Sequence, residues 1–470
     1  MENKTILEYL QEYHRVINAA CNGNHQCGQC KIKVINRNLN LDEKEKLLLT
    51  NKEIEDGVRL ACFHSYHDKD EIVVFNQSMD ILDDLDLIEN SPYEGIGLIV
   101  DIGTTTIVMK WIDRSTGKTI ETSSFVNPQS TFGGDVISRI HAYNQDKSDV
   151  LHRLLVDSIE QELISKNLEV NQMIFTGNTT MIHFLLNEEV TSLGVAPFIV
   201  PKREMQRLSS QTLFKKYKFD CELITFPHIS AYVGGDIVSG IYACDLDLSD
   251  ETILMIDLGT NGEMVIGNKD SLLVTSTAAG PAFEGVGISC GGSSIDGAIS
   301  SIKLSPLSIE TINNKPAKCI CGSGLISLFS ELVRHEMISP IGKIYDGTKL
   351  NITDDIYINQ NDITNFQLAK AAIETGVQIL LEQYSTDTIY IAGGFGSHID
   401  IDDLKEIQVI PKNIKNTKSL GNSALKGCYK LLMTQDFDRV NQIANKAISM
   451  NLADHEDFED ILIESLYFYD

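Results

Sequence analysis

The sequence predicts an α/β chain in which a duplicated two-half domain follows a small α+β domain. Three observations carry this. Ile253 to Ile256 is a short apolar run, ended by Asp257 and a turn containing Gly259 and Gly262, after which Met264 to Ile266 resumes strand character. The same strand–turn–strand pattern occurs earlier, with Leu98 to Val100, then Asp101-Ile102-Gly103-Thr104-Thr105-Thr106, then Ile107 to Met109. Third, a cluster of cysteines at Cys21, Cys27 and Cys30 precedes both hairpins and belongs to neither. One DxGT turn is weak evidence, since Asp and Gly are ordinary turn residues. Two in matched contexts point to a duplication whose loops face one cleft, with backbone N–H groups able to converge on an anion.

At 470 residues the chain has room for two or three domains, each with its own core. A net charge of −27 argues against a nucleic-acid backbone or an anionic membrane as partner. No apolar run reaches the roughly 18 residues of a membrane span, and the opening MENKTILEYLQEYH lacks a signal-peptide apolar core. A cytoplasmic location is therefore expected, where clustered cysteines read better as metal ligands than as disulfides.

Residues 1–77 form the predicted small domain. Thr5 and Glu8 fit a capping box that opens a helix with Ile6, Leu7 and Leu10 on its apolar side. The cysteines follow as C-x5-C-x2-C, then an alternating strand Ile32 to Ile35, then a distant fourth cysteine in Arg59-Leu60-Ala61-Cys62. Three close thiolates on a loop whose glycines can turn N–H groups toward sulfide suit an iron–sulfur cluster. Zinc is the competing reading, but zinc sites usually pair cysteines as two CxxC knuckles. The stretch from Thr5 to about Phe75 resembles the C-x5-C-x2-C…C variety of [2Fe–2S] ferredoxin, whose fold is a β-grasp. That resemblance implies Cys21, Cys27, Cys30 and Cys62 as ligands. Those ferredoxins open on a β-hairpin for which the four residues before Thr5 leave no room, so the sheet is expected to lack two strands or to be completed otherwise. Residues 78–96, rich in Asp and Glu, read as an acidic linker.

In the large domain, residues 97–470, the halves are expected at about 97–250 and 251–470. After the first hairpin come a strand at Ile120 to Phe125, a helix opened by Gly133-Gly134-Asp135, and a longer helix capped by Ser148. A strand at Met173 to Phe175 leads to Thr176-Gly177-Asn178 and a helix from Thr179 to Leu186, and Gly234-Gly235-Asp236 opens another. The second half repeats the plan. Its hairpin precedes Leu272 to Val274, a glycine-rich run from Ala279 to Gly297, Cys321-Gly322-Ser323-Gly324 before a helix, and a helix over Leu368 to Leu381. The strand Ile389 to Ala392 runs into Gly393-Gly394-Phe395-Gly396, and the tail from Leu431 reads as helical and acidic.

Strand, glycine turn and helix at Gly393 is also a dinucleotide signature, but no acidic ribose partner follows at the required spacing. As a whole the arrangement resembles the acetate and sugar kinase, heat-shock chaperone and actin superfamily, which implies an actin-like ATPase core. By that resemblance Gly103, Thr104, Thr105, Gly259, Thr260, Asn261, Gly322, Ser323, Gly393, Gly394 and Gly396 bind ATP, and Asp101 and Asp257 hold Mg²⁺. Physically, carboxylates at strand ends can hold hydrated Mg²⁺ beside phosphates. Asp135 or Asp236, each at a helix start, could orient the attacking water; helix capping is the other reading for either.

A [2Fe–2S] domain fused to such an ATPase, with NTTM, GGDIVSGI, DLGTNGE, AAGPAFEG and AGGFG, resembles the ATP-dependent reductive activators of corrinoid proteins. The resemblance spans nearly the whole chain. It implies one-electron transfer from the cluster to the corrinoid protein of a methyltransferase system, returning cob(II)amide to cob(I)amide, with an external low-potential electron donor. Many such activators carry an extra domain after the linker, for which this chain has no room. The oligomeric state is left open, a homodimer included. A redox-sensing small-molecule kinase and a nucleotide-binding electron carrier or scaffold without turnover are the rival readings. Cys319-Ile320-Cys321 reads as two buried small side chains rather than a second metal site, as do Cys221, Cys244, Cys290 and Cys428. His183, His228 and His398 read as structural histidines, and Trp111 as core.

Overall fold

In the computed structural model, residues 4–13, 17, 19, 21, 23–25, 28–49, 51–75, 85, 87–88, 91–345, 347–393 and 399–469 are described. Cys27, Gly394, Phe395, Gly396, His398 and most of residues 76–90 lie outside them.

The small domain begins on the predicted helix, Ile6–Glu12. Thr5 accepts from Glu8 N while the Glu8 carboxylate reaches back to Thr5 N, closing both halves of the capping box. Ile6, Leu7 and Leu10 are buried against a three-stranded antiparallel sheet ordered Arg59–Leu60, Lys31–Val34, Ile72–Val74. Buried Glu45 ties this domain together, accepting from Leu60 N and sitting 3.0 Å from His64 Nε2.

Two six-stranded sheets form the centre of the large domain. The first is ordered Thr119–Val126, Thr106–Asp113, Ile96–Ile102, Val170–Gly177, Glu222–Thr225, Arg207–Ser209. The second is ordered Leu272–Thr277, Gly262–Gly267, Ile253–Leu258, Thr388–Ala392, Asn416–Gly421, with Ala447–Ser449 beyond Leu272. Each holds a three-stranded antiparallel meander whose first strand pairs in parallel with a later one. The duplication read from two hairpins thus extends through five strands of each half.

The halves meet where the helix after each fifth strand crosses its counterpart, Gly235–Cys244 against Ser423–Thr434. Small residues allow the close approach. A Cβ on Gly427 would lie 2.1 Å from Ser239 O, and Ser239 Oγ donates to Ala424 O at 2.7 Å. One apolar core runs through this crossing, joining Ile99, Ile174 and Ile237 of the first half to Met255, Leu425 and Leu432 of the second.

Some expectations change. Ser148 caps nothing, because a π-turn over Tyr143–Lys147 connects the preceding helix directly to Ser148–Lys166. The helix expected from Leu368 begins at Gln360, capped by Asn359 with Asp362 completing a capping box. The segment before Ile96 is partly docked: Leu85 and Ile88 pack on the shared core, and Ile88 N donates to Tyr429 Oη at 2.9 Å. An added sheet, Ala298–Leu304 with Leu307–Thr311 and Cys319–Ile320, was not foreseen. Trp111 is fully buried, as expected.

Candidate functional site

Both acidic hairpins end at one cleft. Asp101 pairs with Val108 and Asp257 with Glu263 near the tips of their ladders. Gly103 N donates to Thr106 O and Gly259 N to Asn261 O, each at 3.0 Å, closing the turns. Glu284, from AAGPAFEG, joins them. Its carboxylate accepts from Thr105 Oγ1 at 2.8 Å and from Thr260 Oγ1 at 3.0 Å, one oxygen to each hairpin.

Four more carboxyl groups crowd this cleft. Burial raises Asp101 to about 6, while the amide of Asn422, donating to Asp101 Oδ2 at 2.9 Å, works against that rise. Asp236 is pushed up to about 7 by burial and by Asp101, and Asp257 to about 8 by burial, Asp236 and Asp101. Glu263 rises well above its ordinary value for the same reasons, with Asp236 and Asp257 as its acidic neighbours. Like charges in poorly solvated surroundings leave such groups short of a cation. Among the described residues no three His, Cys, Asp or Glu side chains converge to enclose a metal ion. A cation here would take water and phosphate for its remaining ligands, which suits Mg²⁺.

The first loop is held from behind. Asn127 Nδ2 donates to Gly103 O at 2.9 Å, Asn178 Nδ2 to Thr104 Oγ1 at 2.9 Å, and buried Arg139 to Thr104 O at 2.5 Å. Gly393 has φ +121°, and a Cβ there would lie 2.3 Å from Leu258 O, so glycine is needed where the fourth strand's end touches the second hairpin. Asp135 and Asp236 separate here. Asp135 is an N-cap with both oxygens engaged, by Ser138 N at 2.8 Å and Ser138 Oγ at 2.6 Å. Asp236 stands within the acidic cluster, in the first turn of its helix. Gly322 and Ser323 are buried at the start of Gly322–Arg334, which packs on the added sheet, with Ser323 Oγ 3.5 Å from Cys321 Sγ.

In the small domain, Cys30 Sγ and Cys62 Sγ are 3.4 Å apart. The strand ladder causes this: Lys31 pairs with Leu60, and Ala61 N donates to Cys30 O at 2.8 Å. The separation is close to the edge of a tetrahedron with metal–sulfur bonds of about 2.3 Å. The Cys30 thiol lies well above its ordinary value, through its hydrogen bond to Cys62 and through burial, so a thiolate there needs a cation beside it. Cys21 is near enough to add to that shift, and Cys27 is outside the described residues. The thiol pair therefore fits metal or cluster ligation.

Glu284, Glu263, Asn422, Asn178, Asn127 and Arg139 were not singled out from sequence. Of these, Glu284, Glu263 and Asn178 carried a signal, each lying inside a quoted motif.

Three family models match the chain: a 2Fe-2S iron-sulfur cluster binding domain at residues 1–64, the RACo middle region at 96–249, and the C-terminal (ASKHA) domain of RACo at 251–470. The chain is similar to the corrinoid activation enzyme RamQ of Eubacterium limosum, 31% identical over 72% of this chain. That match spans 64% of the relative's length, less than two thirds. It is also similar to the Co(II) methylated amine-specific corrinoid protein reductase of Methanosarcina barkeri, 25% identical over 79% of this chain and 77% of the relative. Among solved structures, a reductive activator for corrinoid, iron-sulfur protein superposes with a TM-score of 0.73 at 27% identity, covering 99% of this chain and 96% of that one. Among the described residues no helix is long and apolar enough to cross a membrane.

Proposed function

Because the chain belongs to the RACo family, with a 2Fe-2S domain ahead of an ASKHA domain, we propose that it is an ATP-hydrolysing reductive activator. In this reading it passes one electron to the corrinoid protein of a methyltransferase system, converting cob(II)amide to cob(I)amide. The observation that carries the reading is a physical connection. The thiol pair and the acidic cleft share one chain, and the small domain contacts the element that supports the first hairpin. Thr131 Oγ1 donates to Ile17 O at 3.2 Å, Gln11 donates to Thr131 O, and nearby Asn127 holds Gly103 O.

Cys21, Cys27, Cys30 and Cys62 would hold a [2Fe–2S] cluster, which supplies a one-electron centre, near about −400 mV in plant-type ferredoxins. An external donor recharges it. Asp101 and Asp257 would orient the water shell of Mg²⁺. Gly103, Thr104, Thr105, Gly259, Thr260 and Asn261 would offer N–H and hydroxyl donors to the phosphates, and Gly393, Gly394 and Gly396 are assigned to the adenosine by sequence. Asp236, raised into the neutral range, is suited to take a proton from the attacking water; Asp135, tied to Ser138, is suited to capping. Nucleotide drives the transfer only by changing the chain's affinity for the acceptor between states. Each ~59 mV of unfavourable one-electron potential difference costs a factor of ten at equilibrium, which ATP-driven binding of the acceptor can offset.

The test is cob(II)amide reduction by anaerobically purified protein with candidate corrinoid proteins and a low-potential reductant. Reduction that requires MgATP supports the reading. Equal reduction with and without MgATP, or phosphorylation of a soluble metabolite instead, overturns it.

A further inference from the structure

Arg139 is wholly buried on helix Val136–Ala142, and none of its hydrogen-bond partners is a carboxylate. Its Nε donates to Gly133 O at 3.0 Å and Nη2 to Thr104 O at 2.5 Å, while Nη1 lies 3.4 Å from Gln129 Oε1 and 3.3 Å from Met181 Sδ. Asp135, one turn earlier, is the acid that acts on it, but Ser138 engages both oxygens of Asp135. Burial pushes the guanidinium down to about 9 against that attraction. It still stays protonated at neutral pH, so the fold holds a positive charge here that is short of an anion.

The peptide that Arg139 touches shows where the charge acts. A trans peptide sets its C=O and N–H in opposite directions. Asn127 Nδ2 donates to Gly103 O at 2.9 Å, and both Asn127 and Arg139 also reach Met181 Sδ, so the carbonyls of Gly103 and Thr104 are drawn to one side of the loop. That side is the core of the first half, where Met181 is buried; the opposite side faces Glu284 across the cleft. The N–H groups of Thr104 and Thr105 therefore point together toward the cleft, and among the described residues neither donates to a protein acceptor. Two adjacent N–H groups so placed form an anion-binding nest. The charge-assisted bond at Thr104 O polarises its peptide, which makes Thr105 N–H a stronger donor.

The cleft has little other positive charge to offer. Among the described residues no lysine or arginine counts among the groups that shift Asp101, Asp257 or Glu284, and none donates to Gly259, Thr260 or Asn261 of the second hairpin.

We propose that Arg139 is a positioning residue for nucleotide hydrolysis, its guanidinium acting from behind the first hairpin to aim and polarise the Thr104 and Thr105 N–H groups toward a phosphate oxygen of the nucleoside triphosphate. The proposal rests on the nucleotide-binding part of the function given above and names the charge that supports that site.

The test measures the affinity of the full chain for MgATP and, by competition, for adenosine, which carries no phosphate. Arg139→Met should raise the Kd for MgATP about tenfold or more and leave that for adenosine at the parent value. Arg139→Lys, which keeps the charge but loses the planar fork, should show a smaller loss of the same selective kind. Iron content should match the parent in both. Equal losses for the two ligands, or no loss for either, would make Arg139 a packing residue and overturn the proposal. Should Arg139→Met fail to fold, the same criterion applied to Arg139→Lys decides. A parent chain that binds MgATP yet reduces no corrinoid protein overturns the proposed function and leaves this role standing, whereas a parent that binds no MgATP overturns both.

Discussion

Thr105 Oγ1 donates to Glu284 Oε2 at 2.8 Å, across the cleft between the two halves of the large domain. Since the other oxygen accepts from Thr260, one carboxylate holds both hairpin tips. A charged acceptor with two hydroxyl donors is worth more than a neutral one, and removing it leaves both hydroxyls to find new partners. Glu284→Ala should therefore lower the melting temperature of the nucleotide-free protein, by about 1–3 kcal/mol of stability. Glu284→Gln, which can still bridge the two threonines, should recover most of that. Melting curves that place both variants with the parent would show that the bridge contributes nothing.

Asp257 is the most strongly raised of the three aspartates in the acidic cleft, and its neutralisation should affect activity and stability in opposite directions. Asp257→Asn should cut Mg-dependent ATP hydrolysis by about 100-fold or more, as loss of a group that organises charge in a transition state does. The same variant should melt higher than the parent in EDTA, because one of several crowded acids is gone. Hydrolysis at the parent rate would remove Asp257 from the cation site. The cluster absorption should not change.

Cys62→Ala should remove the visible colour together with iron and acid-labile sulfide, because Cys30 loses the neighbour it faces at 3.4 Å. Cys319→Ala should leave all three unchanged. Iron and sulfide analysis of anaerobically purified protein decides this, with two of each per chain expected in the parent. Stoichiometric zinc without sulfide would contradict the cluster assignment.

His228 provides a pH test away from the cleft. Burial, with His183 and Arg203 nearby, lowers it to about 3 from an ordinary value near 6.5. Below pH 6.5 the unfolded chain binds a proton that the folded chain refuses, so stability attributable to this residue is full above about 6.5 and falls as pH drops toward 3. The melting-temperature difference between His228→Gln and parent should shift in the variant's favour from pH 7.5 to pH 5. A pH-independent difference would mean that His228 titrates alike in both states.

The parts legible from sequence were those with strong local periodicity or chemistry. The Thr5–Glu8 capping box, the hairpins around Asp101 and Asp257 and the helix Thr179–Leu186 were read closely, since each is specified within about ten residues. The added sheet was not legible, because Ala298–Leu304 and Leu307–Thr311 are short, mixed in polarity and paired with the two-residue strand Cys319–Ile320. The start of helix Gln360–Gln383 was missed although Asn359 and Asp362 form a capping box, the signal recognised at Thr5. Glu284 and Asn422 could not be assigned, because their partners Thr105, Thr260 and Asp101 lie 24 to 321 residues away. Contacts at that distance depend on how the halves fold together.

The most direct measurement of coupling between the cleft and the small domain is a single turnover. The protein is reduced, freed of excess reductant and mixed with a corrinoid protein held as cob(II)amide; MgATP is then added while both absorption bands are followed. The prediction is that little changes before ATP, and that afterwards about one cob(I)amide forms per cluster oxidised, whereas Asp257→Asn shows neither change. Complete cobalt reduction before ATP is added, or ATP hydrolysis with no electron leaving the cluster, would contradict it.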